Sequence, residues 1–146
     1  MRTRTLPLVI ILSMLNLPLA FSESAAGDWT TIDDVTGEKG AVVNLVETDG
    51  VLNGTIAEVL SKSGDGGVYG GVCSKCDNEF KDKPIKGLQF IWGLKDKGNG
   101  VWDDGRILDA RSGKIYHAKV TVKGDKLYVR GYIGVAMLGR TQVWIR

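Results

Sequence analysis

The sequence predicts an all-β protein: a single eight-stranded antiparallel up-and-down barrel with one long Gly-rich loop that carries a CxxC motif. Three observations lead there. From Asp28 onward, short runs rich in β-branched and aromatic residues alternate with Gly-containing turns. No window places apolar residues at helical spacing over the length of a secure helix. Most gaps between the runs are two to five residues, the length of antiparallel hairpin loops. Open sheet edges invite pairing with other chains, and a meander of eight strands removes them by closing on itself.

In chain order the candidate strands are Trp29 to Asp33, Gly40 to Glu47, Val51 to Leu60, Leu88 to Lys95, Arg106 to Ala110, Lys114 to Lys123, Lys126 to Ile133, and Arg140 to Ile145. The turns between them are Val35-Thr36-Gly37, Thr48-Asp49-Gly50, Lys97-Gly98-Asn99-Gly100, Asp103-Asp104-Gly105, Arg111-Ser112-Gly113 and Lys123-Gly124-Asp125, each built on residues that accept tight turns. In the sixth run Tyr116, Ala118, Val120 and Val122 share one face and His117 lies on the other with Ile115 and Lys119. The seventh sets Leu127, Val129, Gly131 and Ile133 against Tyr128, Arg130 and Tyr132. Alternation alone does not say which set is interior. Ser61 to Gly87 breaks the hairpin rhythm with Gly64, Gly66, Gly67, Gly70 and Gly71, both cysteines, and a charged run from Asp77 to Lys83. Connections this long are often lids or binding loops, so a site is expected beside it.

Residues 1–22 read as a secretory signal peptide: Arg2 and Arg4, a mainly apolar stretch from Leu6 to Leu19, then Ala20-Phe21-Ser22. The stretch is broken by Pro7, Ser13, Asn16 and Pro18 and is shorter than the roughly 20 residues a bilayer core requires. Cleavage after residue 22, or alternatively after Ala26, leaves a β-barrel domain over 23–146 in the bacterial periplasm or outside the cell. No cysteine precedes Cys73, so lipid attachment at a mature N-terminal Cys is not expected. Removing Arg2 and Arg4 from the 19 cations leaves 17 against 17 acids. A neutral surface without runs of Lys and Arg gives no field to draw in nucleic acid or an anionic membrane.

In an oxidising compartment Cys73 and Cys76 should form a disulfide. The loop is short, so the bond contributes roughly 2 kcal/mol at most and serves as a local staple. A redox pair is disfavoured because no strand-to-helix pattern surrounds the motif. Asp77 follows the second Cys where covalent haem needs His, and His117 is the single His in the chain, so neither haem nor zinc is expected. No motif supplies a nucleophile for His117, and Asp33, Asp34 and Asp109 stand where Asx turns need them. Neither catalysis nor a cofactor is expected.

Trp29 opens the first strand, and Arg140, Trp144 and Arg146 share one face of the last, so closure would set an Arg over the Trp29 ring. That arrangement resembles the Trp and Arg closure of lipocalins. More extensively, the chain resembles the bacterial family known as domain of unknown function 2147. The matching words are Trp29-x-x-Ile32-Asp33-Asp34-x-Thr36-Gly37, Asp49-Gly50-x-Leu52-x-Gly54-x-Ile56, Cys73-x-x-Cys76 and Pro84-Ile85-x-Gly87-Leu88. They continue with Gly105-x-Ile107-Leu108-Asp109, Gly113-Lys114-x-Tyr116, Val129-Arg130-Gly131-Tyr132 and Leu138-Gly139-Arg140-Thr141-Gln142-x-Trp144-x-Arg146. Ala110 departs from the family, which tends to have Pro after the Asp, and that affects the shape of one turn. The resemblance implies an exported β-rich domain and no assigned activity.

The expected function is therefore binding of a small, largely apolar ligand in the barrel mouth, with Tyr69, Phe80, Trp92, Trp102, Tyr128, Arg130 and Tyr132 as candidate lining. Eight strands can instead fill their interior with side chains, which would suit a structural or envelope-interaction protein.

Overall fold

The computed structural model describes residues 23–61, 71–135 and 137–146; the predicted signal segment and Tyr69 lie outside them. Eight strands form a closed antiparallel barrel in sequence order: β1 (Gly27–Ile32), β2 (Lys39–Thr48), β3 (Val51–Val59), β4 (Gln89–Gly98), β5 (Val101–Asp109), β6 (Lys114–Lys123), β7 (Lys126–Tyr132) and β8 (Gly139–Ile145). Closure is made where Thr30 pairs with Ile145. A short 3-10 turn, Asn78–Phe80, sits in the β3–β4 connection.

Up-and-down order sends alternate connections to opposite poles. The turns after β2, β4 and β6 lie at one pole with both described chain ends; the connections after β1, β3, β5 and β7 lie at the other. Alternation fixes what fills the interior. In β6 the face carrying Ala118, Val120 and Val122 is inside, and in β7 Leu127 and Val129 are buried while Tyr128 and Arg130 face outward. Leu45, Leu52, Leu94, Val122 and Leu127 pack the half nearest the chain ends. Gly54 and Gly105 are part of that packing: a Cβ at Gly54 would lie 2.7 Å from Leu45, and one at Gly105 would lie 2.6 Å from Leu94.

The turn expected at Asp103-Asp104-Gly105 is instead a bulge inside β5, which begins at Val101 rather than at Arg106. Trp102 pairs with Val120 and Gly105 with Ala118, so three steps on β5 oppose two on β6. Chain reversal has already been made by Gly98, Asn99 and Gly100, all with positive φ. Asp104, at φ 61°, absorbs the extra residue and returns Gly105 to the inner face.

Trp29 is fully buried at the closed pole, its indole N–H donating to the Ala25 carbonyl at 2.8 Å. The Arg146 guanidinium lies 4.2 Å from the centre of its ring. Arg146 also donates to the carbonyls of Ser24 and Gly124, so one cation ties the last strand to both neighbouring segments.

Candidate ligand cavity

Above the packed half, the interior opens into a cavity of about 390 Å³ at the opposite pole. The volume falls in the range of small-molecule sites, near its lower end. Trp144, buried and stacked on Phe90 with ring centroids 6.1 Å apart, forms its base. Phe90 reaches inward because the β3–β4 register shifts between Gly54↔Ile91 and Thr55↔Gln89, which lets Phe90 and Ile91 both be buried. Ala41, Val43, Ile56, Ile107 and Val129 make the wall, with Thr31, Tyr116 and Gln142 as its polar points.

The rim is charged, and its charges are already partnered. Asp33 accepts from the backbone N–H groups of Val35 and Thr36 at 2.9 and 2.8 Å, the Asx turn its position called for, and its other oxygen accepts from Arg111 at 3.3 Å. Arg140 grips Asp34 through two nitrogens, linking the start of β8 to the β1–β2 turn. Asp109 caps the β5–β6 turn by accepting from the Arg111 backbone and the Ser112 hydroxyl. Among the described residues no buried side-chain N or O lacks a hydrogen-bond partner. An occupant would meet a mainly apolar wall, with Thr31, Tyr116 and Gln142 as its polar contacts.

The Thr36 and Val35 N–H groups, and then Arg111, hold the Asp33 carboxyl well below its usual 3.8, at about 2; the Arg140 hydrogen bond lowers Asp34 as well. A carboxylate whose folded pKa is depressed contributes its full stability above the unfolded value and loses it as pH falls through the folded one. Urea midpoints should therefore show a decline from about pH 4 to pH 2 that is shallower in Asp33→Ala. Equal slopes in the two proteins would contradict the assignment.

The described part of the long β3–β4 connection is packed against the barrel. Cys73 and Cys76 form a disulfide, and both are buried together with Ile85, which lines the cavity. The Cys73 sulfur approaches the Ala110 carbonyl, and the Lys75 carbonyl sits against Gly113 of the β5–β6 turn. Of residues 71–87, Ile85 lines the cavity, and the bridged segment packs against the β5–β6 turn.

The aromatic residues expected at the mouth are mostly elsewhere. Phe80 and Trp92 stack on each other at 5.7 Å on the outer surface, where they line a shallow groove with Lys83 and Lys86. Trp102 is buried near the closed pole, its N–H donating to Glu47 at 2.8 Å. Tyr128 carries Lys123 over its ring on the outer face, and Arg130 donates to Thr141 and to the Met137 carbonyl. For Tyr128 and Arg130 the reason is parity, since residues opposite to the interior set of a strand face out; for Trp102 it is position, since β5 begins at the closed pole. Tyr132 does border the cavity, but its ring stacks on His117 and its hydroxyl donates to Asp103 on the outer face. Arg140, grouped with Trp29 by parity, stands at the rim while Arg146 covers the indole. Ile85, Phe90, Ile107 and Tyr116 were not singled out from sequence. The alternation of β6 contains Tyr116, but alternation alone does not say which face is interior.

A family model described as "Uncharacterized protein conserved in bacteria (DUF2147)" matches residues 27–146. No curated protein matches the chain. Among solved structures, a protein from the human pathogen Helicobacter pylori, HP1028, described as belonging to the lipocalin family, superposes with a TM-score of 0.70. The two are 17% identical, over 84% of this chain and 82% of that one, a likeness that establishes a shared fold.

Proposed function

Starting from the fact that this chain belongs to the DUF2147 family of bacterial proteins, we propose that it is an exported carrier for a small, largely apolar ligand held in the barrel mouth. The single observation that carries this is the 390 Å³ cavity: one half of the barrel is packed solid while the other is left open above Trp144. A purely structural barrel has no need of such a space, because packed interiors hold few voids larger than a water molecule. Export is supported by the leader-like residues 1–22 and by the Cys73–Cys76 bridge, which persists in oxidising compartments. Thiol exchange is weakened as an alternative, since both sulfurs are buried away from a partner thiol.

Native mass spectrometry of protein purified from its own host should find a recurrent bound mass. Gly131 offers the control. A Cβ there would meet Ile107 and Tyr116 at 3.6 and 3.7 Å, ordinary contact distances, so Gly131→Leu should fold while intruding on the cavity. Affinity for the recovered ligand should fall roughly tenfold or more. A clean unliganded mass under mild conditions would remove the carrier proposal, and unchanged binding by Gly131→Leu would move the site elsewhere.

A further inference from the structure

The β7–β8 connection and the first residue of β8 read Ile133-Gly134-Val135-Ala136-Met137-Leu138-Gly139, seven residues without a charge or a hydrogen-bonding side chain. It would be an ordinary buried run if anything covered it. Instead Ile133, Val135, Met137 and Leu138 are all exposed, Met137 at 88% and Leu138 at 72%. On the neighbouring β1–β2 turn Val35 is 84% exposed, and the Arg140–Asp34 ion pair joins the two connections. The exposed apolar residues therefore gather at the cavity pole, on its turns.

We propose that this tip inserts into the surface of a lipid bilayer and so docks the cavity mouth against the membrane. Three observations select a bilayer over a second copy of the chain or another protein. The exposed apolar set is five side chains, whereas a specific protein interface uses roughly 20 to 30 residues a side. Its cations stand at its base: Arg130 donates to the Met137 carbonyl and Thr141, and Arg140, the second residue of β8, pairs with Asp34, so guanidinium groups flank the apolar residues where lipid headgroups would meet them. Finally, Ile133 and Leu138 border the cavity as well as being exposed, so the tip is continuous with the opening. An apolar molecule could then pass between bilayer and barrel without crossing water. The docking itself requires no ligand, and its test is separate from that of the carrier role.

Charges of both signs crowd this pole, so binding should be driven by apolar insertion and depend little on salt. The experiment is flotation of host-purified protein, its N-terminus fixed by intact mass, with neutral phosphatidylcholine vesicles at low and high salt. Wild type should float with the vesicles at both salt concentrations. Met137→Asp combined with Leu138→Asp should lower the bound fraction by about tenfold or more. Because both side chains are exposed, the urea midpoint should not move, and because the variant keeps the same N-terminus, any leader residue contributes equally to both proteins. Wild type that stays in the lower fraction overturns the proposal, as does a variant that floats equally well. A tip-dependent dimer by sedimentation, without flotation, would assign the tip to a second copy and overturn it too.

Discussion

Gly113→Ala is expected to destabilise the protein by roughly 3 kcal/mol, the sum of a strained backbone and a steric conflict that neither partner can relieve cheaply. Gly113 has φ 73°, where an L side chain is strained, and its Cβ would be driven into the backbone carbonyl of Lys75. Lys75 cannot step back freely, because it lies between two buried, bridged cysteines, and Cys73 also donates its backbone N–H to the Lys83 carbonyl. The conflict should be relieved by displacement of the whole bridged segment. Two readouts follow: a lowered urea midpoint, and faster reduction of the disulfide by dithiothreitol as its sulfurs become accessible. A variant with wild-type midpoint and wild-type reduction rate would show that the β5–β6 turn and the bridged segment are not packed as described.

Trp29→Ala should cost about 4 kcal/mol, the usual loss for removing a fully buried indole without collapse of the site, and lower Tm by roughly 15 °C. The side chain does three things at once: it fills the closed pole, donates to Ala25 and carries Arg146. Trp29→Phe would keep a ring for Arg146 while losing the N–H donor, and should cost about half as much. Arg146→Ala removes the cation alone, for about 1 kcal/mol. A double-mutant cycle isolates the stacking: if losses at Trp29 and Arg146 simply add, the two side chains do not cooperate in closure.

How far the fold could be read from the sequence depends on where local chemistry decided the outcome. The bounds of β6 were legible to the residue, because Lys114 to Lys123 alternates cleanly and is flanked by Gly113 and Gly124. The start of β5 was not: Asp103-Asp104-Gly105 has turn chemistry, and only cross-strand pairing with Val120 and Ala118 makes it a bulge. The barrel and the disulfide were legible because edge closure and redox compartment are general constraints. The cavity lining was not, since aromatic character gave no inside or outside. Trp92 and Phe80 satisfy each other on the surface, while Ala41 and Gly131, inconspicuous in the sequence, border the empty space. The apolar tip was not singled out from the sequence; its exposure came only with the structure.

Both described chain ends leave the barrel beside Trp29, at the pole opposite the cavity: Glu23 accepts from the Gly124 N–H, and Arg146 reaches Ser24. A biotinylated peptide appended after Arg146 would accordingly immobilise every molecule in one orientation, with the cavity mouth pointing into solution. Sensor surfaces made in that way would present the opening uniformly to flowing ligand or liposomes, whereas random coupling through surface lysines would bury it in a fraction of the molecules.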